Sequence, residues 1–268
     1  MSHRHWIVLA VLLVSLSSTV RAADDVQGFA AMVSPPRFEL RVDPGKTERV
    51  VLEINNRALG NARYLVRTAD WTLTPDFGVQ FVDALQPNSC RPWVALERPE
   101  VAVPGGGGVR YRFEVSVPAD APRGECRFAI MVEGADAGMS AGGNVSLPVN
   151  GRIGVIVYVA VGACAPDLEW FGPAVSTVNG RRVPSIRVHN GGDAHGRMGG
   201  FLTGTDAKGI SYDFTPADFP ILPQEERPVF LTPSTGDNDQ PTLTYPVKVK
   251  GSLEWSGHKI DIDQTFDD

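Results

Sequence analysis

The sequence predicts an all-β protein with two sandwich domains in tandem, preceded by a cleaved leader. Three observations support this prediction: an apolar N-terminal segment, many short runs in which apolar and polar residues alternate, and abundant turn formers. The 268 residues include 28 glycines and 21 prolines, well above the usual combined share of about 12%. Short strands separated by frequent turns are typical of immunoglobulin-like β-sandwiches, so this is the fold class we predict.

The N-terminus has the three parts of a secretory signal peptide. Arg4 lies in a short basic region, residues 6–16 are almost wholly apolar, and the small residue Ala22 follows Arg21 at the expected cleavage site. The apolar run is shorter than the roughly 20 residues that a membrane-spanning helix needs. We therefore expect residues 1–22 to be a signal peptide, and the mature chain to reach the periplasm without a membrane span.

Charge argues against nucleic acid as a partner. Cleavage after residue 22 removes two arginines and leaves 23 basic against 31 acidic side chains, so the net charge changes from −6 to −8. Nucleic-acid binding generally needs a basic surface. We therefore predict that the mature protein binds no nucleic acid.

Three cysteines remain in the mature chain. An exported protein encounters an oxidising compartment, where disulfide formation is expected. Cys90 and Cys126 belong to the same predicted domain, so we expect them to form a disulfide. Cys164 lies near the predicted domain boundary and is expected to be a free thiol.

Alternation with period two marks the strands of the first domain. Residues 50–55 and 109–117 each have one apolar and one polar face, as half-buried strands require. An earlier strand, residues 38–42, ends at Asp43-Pro44-Gly45, where Pro and Gly hold the positions of a type II turn. No stretch of 12 or more residues after the leader has sustained helical periodicity.

The longest alternating run covers residues 144–161. Two interpretations remain open at this point. The run is a single long strand, which the uninterrupted alternation favours, or it is a hairpin that turns at Asn150-Gly151, a strong two-residue turn signal. Pro148 fits a single strand only at a sheet edge.

A change of composition at residues 162–166 indicates a domain boundary. We predict an N-terminal immunoglobulin-like domain at residues 23–163 and a C-terminal β-sandwich at residues 164–268. Asn179-Gly180 is predicted to be a hairpin turn of the second domain. The strand-like runs that indicate this domain are residues 183–189, 199–205, 228–231, 245–249 and 258–262.

Motifs that suggest chemistry lack the context that they need. Residues 138–142 match the G-x-S-x-G pattern of hydrolases, but no helix follows, so we interpret them as a loop. His189, Asp193 and His195 have no common zinc spacing, and residues 237–239 lack the glycine and closing glutamate of a calcium loop. We predict that the protein is not an enzyme and has no metal site or cofactor.

The first domain resembles the periplasmic pilus-assembly chaperones, as a divergent member. The resemblance covers roughly residues 29–161 and rests on motifs in order along the chain. These motifs are SPPR at 34–37, VVLEINN at 50–56, RPWVALERPEVAVPGGGGVRYRFEV at 91–115, PADAPRGECRFAIMVEG at 118–134 and RIGVIVYV at 152–159. The family fold is two immunoglobulin-like domains joined at an elbow, which agrees with the domains predicted from the residues.

The resemblance implies a binding mechanism. Chaperones of this family lend an exposed alternating strand to a pilus subunit whose own sandwich lacks one, which pairs an open edge and fills its side-chain pockets. The residues implied as strand donors are Val145, Leu147, Val149, Ile153, Val155 and Val157. The competing interpretation is that these side chains pack inside their own domain.

The resemblance also implies a basic anchor for the carboxylate at the end of the subunit chain. Arg37 matches the first-strand arginine of the family, and Arg41 on the same strand face is the second candidate. The family lysine of the long strand is absent, because Gly154 holds its place. Arg152, with the same parity, is the cation nearest to that position in the sequence.

The implied partners are exported pilus or coat protein subunits, with an outer-membrane usher as a further candidate. The alternative function is that of a structural or adhesive immunoglobulin-like protein of the periplasm or cell surface, without chaperone activity. The two functions differ in their use of residues 144–150, which only a chaperone would lend to a partner.

Overall fold

The computed structural model describes residues 29–75, 77–135, 138–142, 145–149, 151–236 and 241–267, and for 138–142 and 145–149 the backbone alone. The predicted signal peptide and residues 237–239 lie outside the described residues. The strands in chain order are β1 (Ala31–Ser34), β2 (Arg37–Val42), β3 (Thr47–Asn56), β4 (Ala62–Leu73), β5 (Val79–Val82), β6 (Val94–Leu96), β7 (Glu100–Val103), β8 (Gly108–Ser116), β9 (Gly124–Gly134), β10 (Gly138–Gly142), β11 (Val145–Val149), β12 (Arg152–Val161), β13 (Leu168–Val178), β14 (Arg181–Asn190), β15 (Gly199–Thr205), β16 (Ser211–Pro216), β17 (Glu226–Ser234), β18 (Val247–Trp255) and β19 (His258–Phe266).

The prediction of an all-β chain with two sandwiches in tandem is confirmed. Within the described ranges, the only helical element is the single 3₁₀ turn Arg91–Trp93. None of the described segments forms a helix long and apolar enough to cross a membrane.

Two sheets face each other in the first sandwich. One has the strand order β1-β3-β8-β6, and the other has the order β2-β12-β9-β4, with both β5 and β7 paired to β4. The alternating residues predicted from the sequence supply the core between them. Leu52 and Ile54 from β3 meet Phe113 from β8 and Phe128 from β9, and all four are fully buried.

The first strand of this sandwich is divided between the two sheets. β1 pairs antiparallel with β3, the chain then passes through Pro35-Pro36, and β2 pairs parallel with β12. Proline has no N–H to donate to a ladder, so a Pro-Pro pair suits the point where a strand leaves one sheet for the other. Parallel pairing with β12 begins only at Arg37, which lies opposite Ile156.

The turn after β2 forms as the sequence predicts. The N–H of Lys46 donates to the carbonyl of Asp43 at 3.1 Å, and Gly45 has a φ of 74°. A type II turn requires positive φ at its third position, which glycine adopts without steric cost. Asn179-Gly180 likewise forms the predicted hairpin turn, between β13 and β14.

The second sandwich is a continuous hydrogen-bonded path of strands, β13-β14-β17-β16-β15-β18-β19. β17 joins its two parts, because residues 226–230 pair with β14 and residues 231–234 pair with β16. Its core contains Ile186, Leu202, Phe214 and Leu253, all fully buried. We propose the boundary between residues 163 and 164 as the division between the two domains.

Asp193 connects the two sandwiches by backbone and side-chain hydrogen bonds. Its carbonyl accepts from the N–H of Glu125 at 2.8 Å, and its carboxylate accepts from the N–H of Ala165 at 2.8 Å. Arg123 also forms an ion pair with this carboxylate at 2.7 Å. Burial opposes ionisation of Asp193, but these donors hold its pKa below the usual value.

The turn between β4 and β5 adds an apolar contact between the sandwiches. Phe77 packs on Phe219 and Phe230 of the second sandwich, with both ring centroids at 4.8 Å. Its φ of 68° is unfavourable for a bulky side chain, and the aromatic contacts offset that cost. The guanidinium of Arg227 lies over the same ring, 5.6 Å from its centroid.

One motif interpretation is wrong. Residues 138–142, which we expected to form a loop, are strand β10 and pair with β11 throughout their length. Glycine, serine and alanine contribute little to strand formation by themselves, which is why their composition suggested a loop. The neighbouring strand supplies the hydrogen bonds that the local sequence does not predict.

The structure joins Cys90 to Cys126 by a disulfide, with their Cα atoms 5.5 Å apart, and leaves Cys164 as a buried free thiol. The disulfide links the start of the 3₁₀ turn to β9 at the base of the first sandwich. Burial is the main cause that raises the pKa of the Cys164 thiol, so that thiol resists ionisation.

Replacement of both Cys90 and Cys126 by alanine should lower the free energy of unfolding by about 4 kcal/mol. The bridge closes a loop with a sequence separation of 36, and the entropy of that loop in the unfolded chain sets the magnitude. Urea unfolding of the oxidised protein and the double variant measures the difference. Cys164→Ala is the matched control, because it keeps the bridge. A double variant as stable as this control would contradict the prediction.

Candidate functional site: the free edge of β11 and β12

A long antiparallel arm extends from the second sheet of the first sandwich. β9 and β10 form its first side, and β11 and β12 form its second side. β12 pairs with β9 from Arg152, opposite Glu133, to Val161, opposite Gly124. β11 pairs with β10 from Val145, opposite Gly142, to Val149, opposite Gly138. β11 and β12 therefore follow each other along the same side of the arm.

The backbone near Gly151 decides between the two interpretations of this run. The carbonyl of Gly151 accepts from the N–H of Gly134, which continues the ladder between β9 and β12. Beyond this bond the register shifts by two residues before β10 and β11 pair. The partner of β11 is β10 and the partners of β12 are β9 and β2, so β11 and β12 do not pair with each other as a hairpin would require. The described strands therefore favour the interpretation in which the run continues along one side of the arm.

One edge of this strand is open along much of its length. On the side away from β9, β2 covers β12 only from Ile156, whose N–H donates to the carbonyl of Pro36 at 3.2 Å. Among the described residues, 145–149 and 152–155 have a paired strand on one side only. Backbone N–H and C=O groups at such an edge are available to pair with another strand.

The two faces of β12 have different surroundings. Val155 and Val157 are fully buried in the core of the first sandwich, and Ile153 is partly buried. The side chains of Val155 and Val157 therefore already fill the core of their own domain. Their burial argues against the prediction that they fill the side-chain pockets of a bound subunit. Val145, Leu147 and Val149 on β11 are odd-numbered like these three residues of β12. For β11 the structure describes the backbone only.

Phe81 explains the glycine at position 154. A Cβ atom on Gly154 would overlap the ring of Phe81, which crosses the outer face of the sheet from β5. A lysine at this position therefore requires the Phe81 ring to move away from the face of the sheet. The departure from the family pattern at Gly154 is thus part of the packing of this chain.

The same outer face has a second apolar cluster. Trp71 from β4 makes an edge-to-face contact with Tyr158 from β12, with centroids 5.4 Å apart. Met131 and Leu222 belong to the same cluster, and Leu222 comes from the second sandwich. The outer face of the arm's sheet is consequently covered partly by β5 and partly by the second domain, and this cover holds the two sandwiches together.

The structure separates two of the three predicted anchor cations. Arg37 lies opposite Ile156, whereas Arg152 lies four residues earlier on β12, which is about 13 Å along the strand. Arg37 forms an ion pair with Glu39 at 2.9 Å. Arg41, on the same face of β2, lines the cleft between the sandwiches.

Sequence reasoning did not identify a polar cluster in that cleft. His195 and Arg197 of the second sandwich meet Glu39 and Glu125 of the first, and the ring of His195 stacks on Tyr158 at 3.8 Å. These residues are separated by up to 158 positions in the chain, so no local pattern indicates that they meet. His189 and Asp193 do not join His195 in a metal site, and the described residues contain no cluster suited to a metal ion.

No protein-family model matches the chain, and no curated protein matches it. Several solved structures are similar to it. The YadV chaperone is 13% identical, with a TM-score of 0.48 and coverage of 88% of this chain and 99% of that chain. The Pseudomonas aeruginosa CupB2 chaperone is 9% identical, with a TM-score of 0.45 and coverage of 88% and 100%. A structure of Salmonella enterica SafA pilin in complex with the SafB chaperone is 11% identical, with a TM-score of 0.47 and coverage of 88% and 97%.

Gly154→Ala should destabilise the first sandwich by about 1–3 kcal/mol, because the added methyl group overlaps the Phe81 ring and the packed face must shift. Urea unfolding measures the effect. The double variant Gly154→Ala with Phe81→Ala removes the overlap, so the alanine at 154 should cost less on that background. An equal cost on both backgrounds would contradict this account of Gly154.

Proposed function

We propose that this protein is a periplasmic chaperone-like protein that binds exported pilus or coat subunits by adding a β-strand to them. The open edge of residues 145–149 and 152–155 is the observation that supports this proposal best. The proposal is of a binding function, with no catalytic reaction and no cofactor.

The length and position of the edge suit strand addition. Residues 145–155 extend over about 35 Å at the usual rise per residue, which is longer than an ordinary strand. A partner strand placed along this edge would run in line with β2 and would end where β2 begins, at Pro36-Arg37. Hydrogen bonds to the backbone would give affinity, and alternate side chains would give specificity.

An open edge of this length also needs a physical reason to persist. Natural proteins usually shorten, charge or cover their edge strands, because open edges pair with other chains. Pro148 removes one donor from β11, but the rest of the segment carries the alternating apolar residues Val145, Leu147 and Val149. An edge of this kind suits a protein whose role is to pair with another chain.

Among the proposed contacts, Val145, Leu147, Val149 and Ile153 are the side chains that we assign to the pockets of a bound subunit. Arg37 is the cation that we assign to the carboxylate of the subunit, since it lies at the end of the open edge and is partly exposed. Arg41 and Arg152 lie farther from that point and are secondary candidates.

The disulfide Cys90–Cys126 supports an oxidising location, such as the periplasm, and the apolar leader at residues 1–22 supports export to it. We extend the proposed partners to an outer-membrane usher, which would receive the bound subunit. The alternative, a structural or adhesive protein, would not lend this edge to a subunit.

The double variant Val145→Asp and Val149→Asp should weaken subunit binding at least about tenfold, because two carboxylates would enter the apolar groove of the subunit. The measurement is isothermal titration calorimetry with a purified candidate pilus or coat subunit. Ser146→Asp is the control, because it adds one carboxylate to the same strand at the opposite parity.

Hydrogen exchange locates the interaction. Amides of residues 145–155 should become protected when the subunit is added, while those of β19 should not change. Full binding by the double variant would contradict strand addition. Protection of residues 145–149 in the isolated monomer, without subunit binding, would favour the structural or adhesive alternative.

A further inference from the structure

An apolar cavity lies where β17 changes its partner strand. The pairing of β17 with β14 ends at Phe230, opposite Ser185, and from Leu231 onward β17 pairs with β16. In the described part of the chain, residues 181–184 of β14 therefore pair with β13 only. The cavity, which we call the β17 cavity, has a volume of about 310 Å³ and is lined by Val183 of β14 and by Phe230. It occupies the gap between two strands that diverge.

Three phenylalanine rings form one part of its wall. Phe77 comes from the turn between β4 and β5, Phe219 from the segment between β16 and β17, and Phe230 from β17 itself. The ring of Phe77 lies 4.8 Å from each of the other two, and those two are 6.5 Å apart. Aromatic rings attract one another at centroid distances of about 4.5–7 Å in tilted or edge-to-face arrangements. The wall therefore suits a further aromatic ring better than an aliphatic group of the same size.

Phe77 is a fixed part of this wall. Its N–H donates to the carbonyl of Thr74 at 3.0 Å, and the N–H of Thr74 donates to the carbonyl of Gly78 at 2.9 Å. The guanidinium of Arg227 covers the ring at 5.6 Å from its centroid and is itself paired with Glu225 at 2.6 Å. Bulky residues held at positive φ, as Phe77 is, cluster at ligand-binding positions. A wall that is in place before binding lowers the cost of taking up a ligand.

The size and polarity of the cavity limit the class of ligand. Its volume is at the lower end of the range of about 300–1,000 Å³ for ligand pockets, so it suits one or two rings better than a long acyl chain. The remaining apolar lining includes Val178, Val183, Ala217 and Pro233. Such a lining offers few partners to water, so it favours an apolar occupant. Asn179 and Thr232 also line the cavity and are exposed, so they lie where it meets solvent.

We propose that the β17 cavity is a binding site for a small phenol-like compound, with one or two aromatic rings and a polar substituent. The ring joins the cluster of Phe77, Phe219 and Phe230, and the substituent forms hydrogen bonds with Asn179 or Thr232 at the mouth. Because Phe77 belongs to the first sandwich and the other lining residues belong to the second, the bound compound contacts both domains. This site lies away from the arm and does not depend on the proposed chaperone function.

The test adds p-cresol to the full mature protein and follows the amide signals by two-dimensional NMR. Signals of residues 178–183 and 230–233 should shift as p-cresol binds, while those of β8 should not. The dissociation constant should be about 1 mM or below, as expected for a ligand this small in an apolar pocket. No shift in either segment up to the solubility limit of p-cresol would overturn the proposal.

Variants that fill the cavity assign the binding to it. Ala217→Leu should weaken p-cresol binding at least about tenfold, because the added carbon atoms take the space of the ligand ring. Ala207→Leu, at an exposed alanine in the turn between β15 and β16, is the matched control and should bind like the unaltered protein. Val183→Phe fills the cavity from β14 and keeps the test valid if Ala217→Leu disturbs the fold. Unchanged affinity in both filled variants would overturn the assignment.

A matched ligand tests the preference for aromatic rings. Methylcyclohexanol has a similar size and the same hydroxyl group but no aromatic ring, so p-cresol should bind about threefold or more tightly than it does. Phe77→Leu keeps an apolar side chain in the wall and removes one ring, so it should reduce this preference. Equal binding of the two ligands by the unaltered protein would overturn an aromatic site.

The source of the ring is tested with N-acetyl-tyrosinamide, which has the phenol of p-cresol on a peptide-like backbone. A small-molecule site should bind this compound no more tightly than p-cresol, because the backbone groups gain no contact inside the cavity. Clearly tighter binding of N-acetyl-tyrosinamide would show that the cavity takes a tyrosine side chain of another polypeptide, and it would overturn the small-molecule ligand that we propose.

Discussion

The division of the first strand between two sheets determines where the arm lacks a paired neighbour among the described residues and how the two sandwiches meet. The first strand can pair with β12 only along the part that lies in the second sheet. That part is β2, which begins after Pro35-Pro36. Its pairing with β12 therefore begins at Ile156, and among the described residues no strand pairs with the preceding part of the arm on that side. The same passage places Arg37 at the end of the open edge and Glu39 on the face that meets the second sandwich.

The second sandwich depends on the same face. Tyr158 lies opposite Glu39 in the β2–β12 ladder, and its ring packs between Trp71 and His195. Outward-facing residues of β12 thus form the interface between the domains, while Val155, Val157 and Val159 fill the core on the other face. Because alternation has period two, one strand serves the core, the interface and the open edge without conflict among its side chains.

Phe81 and Phe77 show how one short hairpin contacts both the arm and the second sandwich. Phe81 lies over Gly154 of the arm, and Phe77, four residues earlier, packs on Phe219 and Phe230 of the second sandwich. The hairpin of β4 and β5 therefore contacts the arm and the second domain at once. The two aromatic rings thus give this part of the chain apolar contacts with two separate structural units.

The sequence by itself determined the all-β fold, the two sandwiches, the turns at Asp43-Pro44-Gly45 and Asn179-Gly180, and the alternating run that becomes β11 and β12. These features depend on local periodicity and on backbone preferences of proline and glycine, which a single sequence displays directly. Only the tertiary structure decided which side of that run is open, that Phe81 excludes a side chain at position 154, and that Glu39 meets His195 and Arg197. Each of these depends on contacts between residues far apart in the chain, and periodicity carries no information about which distant strands become neighbours.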